Sequence, residues 1–245
     1  MKKILIIAGV LSAAIAMQAA DVFKADLSSG QLDFPGKNIW RKNFTIEKEG
    51  ENFFIHIPPE KGNCSISRMS TEDAELLKKG NFVIQARVRV HGENGHIYLF
   101  SLGATAGEEG VRLGIEVRNG KIIPYLNLNF PVGPQKYQRF SIADRKNEQP
   151  TGEWFYITAM INRSGKMTLY INGKAVASAD ISRFSGTEML GFGKNNASIF
   201  TVKTGSFMQY QPLKLEAEYD ASVDVAAIKM RTGLLSAMQV KKETK

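Results

Sequence analysis

The sequence predicts an all-β protein, a two-sheet antiparallel sandwich with a short C-terminal helical turn. Three observations favour this fold class: apolar and polar residues alternate in many short runs, Asn-Gly and Gly-rich turns separate the runs, and helical periodicity is almost absent. An apolar content of 43% with 9% aromatic residues is sufficient for a packed core. We expect a single sandwich domain over residues 21–240, because all-β sandwiches of this length commonly form one domain.

The first twenty residues have the pattern of a secretory signal peptide. Lys2 and Lys3 precede an apolar run over residues 4–15, and small residues follow it. The run is shorter than the roughly 18–20 residues that a membrane-spanning helix needs. We therefore expect a signal peptide over residues 1–20, cleaved after Ala16 or after Ala20, and a secreted or periplasmic mature protein without a membrane span.

The charge pattern does not favour a nucleic-acid partner, and the cysteine content excludes an internal disulfide. The precursor carries a net charge of +8, and removal of Lys2 and Lys3 leaves +6. Basic and acidic residues are mixed along the chain, apart from a basic tail at residues 241–245, so the sequence does not indicate nucleic-acid binding. The single Cys64 cannot form an internal disulfide, and we expect it to be a partly buried thiol on a strand.

The first clear strands lie between residues 81 and 130. Over 81–91, apolar residues at every second position define one buried face, and the same alternation recurs over 111–117. A further strand is predicted at 97–102, and Asn119-Gly120 is a strong hairpin turn. The chain returns over 121–130, where Pro124 cannot donate a ladder hydrogen bond and predicts an edge strand or a bulge.

A three-stranded meander follows in "WFYITAMINRSGKMTLYINGKAVASADI", residues 154–181. A Gly turn separates its first two strands, and Asn172-Gly173 separates the last two. Later strands are predicted at residues 197–204, 213–219 and 223–230. Leu234, Leu235 and Met238 have the spacing of one apolar helical face, which predicts the C-terminal helical turn.

Three segments carry a resemblance to a known superfamily. "NFVIQARVRV", "GEWFYITAMINRSGKMTLYINGKAVASADI" and "SVDVAAIKMRTGLLSAMQV" resemble, in order and spacing, segments of laminin-G-like domains of the concanavalin A-like lectin/glucanase superfamily. The resemblance covers roughly residues 50–240, one complete jelly-roll sandwich. It implies two curved sheets, with any ligand bound on the concave sheet or by loops at its rim.

Polar side chains on the wetter strand faces are the candidate ligand-binding residues. If those faces belong to one concave sheet, they form an Arg-rich groove suited to a sulfated or uronic polysaccharide, because a guanidinium holds such anions through two parallel hydrogen bonds. Trp154, which leads a strand, is expected in the core. The candidates are Gln85, Arg87, Arg89, Arg112, Glu116, Arg118, Asn127 and Asn129.

Catalysis and metal binding have weaker support. Related glucanases place a retaining carboxylate pair on one strand, and Glu216, Glu218 and Asp220 have that alternation, but without the aromatic context of the glucanase motif. His91 and His96 flank a turn, yet zinc needs a third ligand. No cofactor is assigned; calcium is considered because some laminin-G-like domains bind it, and the loops offer oxygen donors at Asp144, Asn147, Asn195 and Asn196.

The sequence therefore favours a secreted, non-catalytic carbohydrate-binding or cell-surface adhesion module whose partner is a glycan, with an anionic polysaccharide as one option. Two alternatives stay open. One is a polysaccharide-cleaving glycoside hydrolase that uses the carboxylates near Glu216. The other is a structural domain that binds a protein partner through an edge strand or loop.

Overall fold

The computed structural model of the protein describes residues 21–26, 39–59, 63–68, 77, 80–102, 110–133, 136–146, 149–189, 199–205 and 220–244. The predicted signal peptide at residues 1–20 and the predicted strand at 213–219 lie outside these ranges.

The described part of the chain consists mainly of short strands. They are β1 (Asp21–Asp26), β2 (Ile39–Asn43), β3 (Thr45–Glu49), β4 (Asn52–Ile57), β5 (Asn63–Arg68), β6 (Phe82–His91), β7 (Asn94–Leu102), β8 (Val111–Arg118), β9 (Lys121–Gly133), β10 (Lys136–Ala143), β11 (Gln149–Pro150), β12 (Trp154–Ile161), β13 (Lys166–Ile171), β14 (Lys174–Asp180), β15 (Ile199–Gly205) and β16 (Ser222–Thr232). A 3-10 turn spans Ser182–Phe184, and the C-terminal helix α1 spans Ala237–Glu243.

The strands form two antiparallel sheets of eight strands each, which confirms the predicted two-sheet sandwich. Sheet A has the order β14-β13-β12-β6-β16-β4-β3. One edge of β16 pairs with β6, whereas its other edge is shared: β4 pairs with Val223–Val225, and β1 pairs with residues 227–231. The strand closest to the C-terminus therefore lies inside sheet A.

Sheet B has the order β10-β9-β8-β7-β15-β5-β2, and the two-residue strand β11 also pairs with β9. The prediction for Pro124 was an edge strand or a bulge. Strand β9 is paired on both sides, so the edge strand is wrong, and the described pairings of β9 show no register shift at Pro124. The carbonyl of Pro124 accepts a hydrogen bond from Asp144 N, at the gap between β10 and β11. Because N and O of one strand residue face the same neighbour, the missing N–H of Pro124 lies at this gap and costs β8 no bond.

The core lies between the sheets. The alternating apolar residues of β6, β8 and β12 all point into it, as the sequence predicted, and their buried members include Phe82, Val88, Ile115 and Ile157. The two predicted Asn-Gly turns are also present, since Asn119 and Asn172 adopt φ of +51° and +47° and each is followed by a glycine with positive φ. Period-two patterning thus placed these strands and their turns correctly.

Helix α1 packs on the outer face of sheet A. Ser236 caps it in a reciprocal capping box with Gln239, and the buried side chain of Val240 packs with Leu235 against the sheet residues Val83 and Tyr170. The prediction of a helical turn is confirmed, but the predicted face is wrong in part. Leu235 is buried, whereas Leu234 and Met238 are exposed.

Ion pairs attach the C-terminal end of α1 to strand β16. Glu243 accepts hydrogen bonds from Lys229 Nζ at 2.5 Å and from Arg231 Nη1 at 2.6 Å, both on β16. Lys241 and Lys242, which the sequence assigned to a basic tail, lie in the last turn of the helix. The helix therefore covers the part of the outer face of sheet A that contains Val83 and Tyr170.

Candidate functional site

The predicted ligand-binding residues lie on two different sheets. Gln85, Arg87 and Arg89 are on the outer face of β6 in sheet A, whereas the other five are on the outer face of β8 and β9 in sheet B. The two faces lie on opposite sides of the sandwich, so the eight residues cannot form one groove. The alternation pattern identifies an outward face for each strand but not the sheet to which the strand belongs.

On the outer face of sheet A, the outward residues of β6 change character along the strand. Val83 lies under helix α1, and Gln85 is 3% exposed and donates to Thr158 Oγ1 at 3.3 Å. Gln85 therefore has almost no surface for a ligand. Arg87, Arg89 and His91 follow and are partly exposed, so the uncovered part of this face begins at Arg87.

A buried carboxylate organises this uncovered part. Asp224, on β16, is 2% exposed, and its two oxygens contact three side chains from β4 and β6. His56 Nδ1 lies 2.7 Å from Oδ1, His91 Nε2 lies 2.7 Å from Oδ2, and Arg89 Nε donates to Oδ2 at 2.8 Å. Burial opposes ionisation of Asp224, but the hydrogen bonds from His91, His56 and Arg89 outweigh it and lower its pKa.

Arg89 joins this cluster to the surface. Its Nη1 donates to Glu49 Oε2 at 2.7 Å, and the Glu49 side chain is 60% exposed. Burial opposes the charge of Arg89, but the hydrogen bonds and charges of Asp224 and Glu49 raise its pKa further above the usual value. Arg89 is therefore a fully charged group whose two ends are held by carboxylates.

Beside Arg89 lies a pocket of about 180 Å³, here called the aromatic pocket, with a lining that mixes rings and polar groups. The Trp154 ring lies 5.0 Å from the Arg87 guanidinium carbon and 4.7 Å from that of Arg89, and it meets Phe54 edge-on at 5.7 Å. The lining residues are Glu49, Asn52, Phe53, Phe54, Arg87, Trp154 and Ala226.

A β-bulge in β16 shapes the floor of the pocket. Val225 pairs with Val88 and Ala227 pairs with Arg87, so Ala226 is the extra residue and lies against the pocket. Trp154 is partly exposed on this outer face, so the prediction that it belongs to the core is wrong. Its aromatic and cationic neighbours, rather than the core, hold it in place.

The outer face of sheet B holds the other five predicted residues, of which Arg112 and Asn129 are buried and Arg118 is exposed. Arg112 is 8% exposed and lies 4.8 Å from the Tyr98 ring, while Asn129 is 4% exposed. Asn127 accepts a hydrogen bond from Ser141 at 2.7 Å. Glu116 accepts from Arg118, so this pair neutralises itself. The ligand role of these five residues stays a prediction.

The predicted catalytic carboxylates divide between two parts of the chain. Glu216 and Glu218 lie outside the described residues. Asp220 accepts backbone hydrogen bonds from Glu93 N and Asn94 N at 2.8–3.0 Å, and these bonds, led by that from Asn94, lower its pKa. Its oxygens hold the turn between β6 and β7, which argues against a role for Asp220 as a general acid.

The structure places His56, His91 and His96, and it describes one of the four predicted calcium ligands. His91 approaches His56 on sheet A, with ring centroids 6.3 Å apart, whereas His96 lies on β7 of sheet B. Asp144 is buried and accepts from Lys146 N, while Asn147, Asn195 and Asn196 lie outside the described residues. Where side chains are described, no group of three or more His, Cys, Asp or Glu residues could hold a metal ion.

The sequence matches the model of a known protein family. A model of the Laminin_G_3 family, described as concanavalin A-like lectin/glucanases superfamily, matches residues 65–207, more than half of the chain. No curated protein sequence matches significantly. In the described parts of the chain, no helix has the length and apolar character needed to cross a membrane.

Solved structures of toxin binding domains are similar in fold. The chain matches the binding domain of Paraclostridial Mosquitocidal Protein 1 with a TM-score of 0.64 and 15% identity, over 91% of this chain and 51% of that chain. A structure of botulinum neurotoxin type C matches with a TM-score of 0.65 and 12% identity, over 91% of this chain and 50% of that chain. Cell entry of that toxin is described as dependent on interaction with two ganglioside molecules. The binding domain of botulinum neurotoxin DC in complex with rat synaptotagmin II matches with a TM-score of 0.63 and 13% identity, over 91% and 50%. The chain thus spans about half the length of these structures.

Proposed function

This chain belongs to the Laminin_G_3 family of the concanavalin A-like lectin/glucanase superfamily, and from that premise we propose that it is a secreted, non-catalytic glycan-binding module. The proposal places the glycan at the aromatic pocket on the outer face of sheet A. The secretory part rests on the signal-peptide pattern of residues 1–20. Fold membership alone does not select the ligand, since sandwiches of this kind serve several functions.

The single observation that carries the proposal is the composition of the aromatic pocket. Trp154 and Phe54 supply flat apolar surface, and Glu49, Asn52 and Arg87 supply hydrogen-bonding groups at its edge. Sugar recognition needs this combination of a ring for the apolar face of a pyranose and polar groups for its hydroxyls. At about 180 Å³ the pocket is smaller than the roughly 300–1,000 Å³ of sites for drug-sized ligands, which suits one sugar ring of a longer glycan.

Two further observations favour binding over catalysis. Asp220 is engaged by backbone amides, and both oxygens of Asp224 are engaged by side chains, so neither carboxylate is placed to attack or protonate a substrate. The names of two structural relatives refer to gangliosides and to synaptotagmin II as ligands of those toxins. These relatives support a binding role for the fold without identifying the ligand of this chain.

The proposal is tested by affinity electrophoresis in native gels that contain neutral or anionic polysaccharides, with reducing-end release assayed on the same mixtures. We expect at least one polysaccharide to retard the protein without release of new reducing ends. Trp154→Ala should weaken that binding about tenfold or more, since stacking and burial of one ring contribute on the order of 1–3 kcal/mol. Trp154→Phe should retain part of it.

Tyr137→Ala is the matched control, because Tyr137 is a 41% exposed aromatic residue on β10 of sheet B. Thermal unfolding of each variant separates loss of binding from loss of fold. Unaltered binding by a folded Trp154→Ala variant would exclude the aromatic pocket as the site. New reducing ends would identify a glycoside hydrolase, and absence of retardation by every glycan would favour a protein partner.

A further inference from the structure

Arg87, which lines the aromatic pocket, and Arg89, which lies beside it, differ in the groups that balance their charges. Arg89 donates to Asp224 at 2.8 Å and to Glu49 at 2.7 Å, so two carboxylates already bind its guanidinium. Arg87 lies two residues earlier on β6 and on the same outer face. Among the residues whose side chains the structure describes, no carboxylate forms an ion pair with Arg87.

Aromatic rings hold Arg87 instead. Its guanidinium carbon lies 5.0 Å from the Trp154 ring and 6.0 Å from the Tyr156 ring, both on β12. A guanidinium that stacks on a ring keeps its N–H groups available in the guanidinium plane, where they match the geometry of a carboxylate or sulfate. Arg87 also lines the aromatic pocket, so these donors are at the proposed sugar site.

The carboxylates near the aromatic pocket pair with Arg89 and not with Arg87 in the described structure. Glu49 lies in the same lining but its Oε2 accepts from Arg89 Nη1. Asp224 is 2% exposed, and its oxygens are shared by His56, His91 and Arg89. The remaining polar group of the lining, Asn52, carries no charge. Within the described part of the chain, the anion for Arg87 is therefore missing, and a bound ligand can supply it.

We propose that the ligand of the aromatic pocket is an acidic glycan, and that Arg87 binds the carboxylate or sulfate group of one of its sugars. This inference rests on the proposed glycan-binding function and names the ligand class and the residue that selects it. Arg89 then acts as a positioning residue, since its ion pairs hold Glu49 and its guanidinium packs on Trp154. Whether the group is a carboxylate or a sulfate is decided by the choice of polymer in the test.

The test compares dissociation constants for polygalacturonate, dextran sulfate and unmodified dextran at about 150 mM salt, an ionic strength at which long-range charge attraction is largely screened. We expect the wild-type protein to bind one anionic polymer at least about tenfold more tightly than dextran, because a hydrogen bond to a charged group is stronger than one between neutral groups. Arg87→Gln should abolish this preference. Arg87→Lys should restore only part of it, since lysine keeps the charge but loses the bidentate geometry.

Arg145→Gln is the matched control, because it removes the same charge from an exposed arginine that follows β10 of sheet B. Equal loss in Arg145→Gln and Arg87→Gln would mean attraction to net charge and would overturn the inference. Equal affinity of the wild type for dextran and both anionic polymers, with binding still lost in Trp154→Ala, would overturn the acidic-ligand inference and leave the proposed function intact. Absence of binding to all three polymers and to the wider glycan panel would overturn both.

Discussion

Asp224 shows how one residue can define a surface that lies far from it in sequence. His56 is 168 residues away and His91 is 133 residues away, yet both contact its oxygens. In the sequence, Asp224 is a single acidic residue between the core residues Val223 and Val225, and that interruption of an apolar strand is the only signal of its importance. Its partners could not be predicted, because strand pairing between β4, β6 and β16 brings them together.

The two carboxylates that bind Arg89 give a first stability prediction. Asp224→Ala should lower the free energy of unfolding by about 3–5 kcal/mol, since it leaves Arg89 without its buried partner. Glu49→Ala removes the exposed partner of the same guanidinium and should cost no more than about 1 kcal/mol. Chemical denaturation of both variants measures the difference. Equal losses would show that burial of the carboxylate does not determine how much its ion pair with Arg89 stabilises the fold.

At the scale of elements, alternation predicted strands well where one face is buried and the other is wet. The sequence predicted β6 to β9, the β12–β14 meander and, less distinctly, β15 and β16. It identified none of β1 to β4, and for β5 it predicted only that Cys64 lies on a strand. The reason is clear in β4, where Phe54 faces outward to pack on Trp154 while Ile55 and Ile57 face the core. Phe54 therefore places an apolar residue between Asn52 and His56 on the outward face, and this weakens the period-two signal. Strand β16 was predicted at residues 223–230, but its alternation is less distinct than that of β6, because the bulge at Ala226 shifts the phase of the pattern by one residue.

Helix α1 provides a prediction at this scale, because the structure reverses the expected contact of Met238. Val240→Ala should destabilise the protein by about 2 kcal/mol, through loss of two buried methyl groups and the cavity that they leave. Val240 is fully buried, whereas Met238 is 79% exposed, so Met238→Ala should change stability by less than about 0.5 kcal/mol. Urea denaturation of the two variants is the measurement. A larger effect of Met238→Ala would indicate that the helix docks by its other face.

For the whole molecule, the sequence predicted the fold class, and the family match confirms it. The proposed binding surface was predicted only in part. Arg87 and Arg89 were correctly named as outward residues, but they were grouped with Arg112 and Arg118, which lie on the other sheet. Residue alternation is a local property, whereas sheet membership depends on the order in which distant strands pair.

Acid sensitivity is a further property of the whole molecule. Asp220, Asp224 and Glu243 each hold a different pair of elements together, and their pKa values are all lowered in the folded state. A carboxyl whose folded pKa lies below its unfolded value, near about 4, stabilises the fold above that pH and loses the contribution as the pH falls through the folded pKa. We therefore expect the free energy of unfolding to decrease as the pH falls below about 4.

Asp220→Asn tests the sign of this dependence. The stability difference between wild type and Asp220→Asn should be largest near neutral pH and should shrink as the pH falls below about 4, where Asp220 becomes protonated. Denaturation curves at several pH values measure it, with the exposed Glu153→Gln as a control variant. A difference that stays constant with pH would show that Asp220 acts through its shape and not its charge.

The position of β16 affects when the protein can fold. This strand follows every other described strand in sequence, yet it pairs with β6 on one edge and with β4 and β1 on the other. A ribosome-bound chain that lacks residues 222–232 cannot complete sheet A, and it lacks Asp224, around which the side chains beside the aromatic pocket are arranged. Folding must wait for these late, non-local contacts, which are slow to form. The nascent chain of this sandwich thereby stays open at least until β16 has left the ribosome.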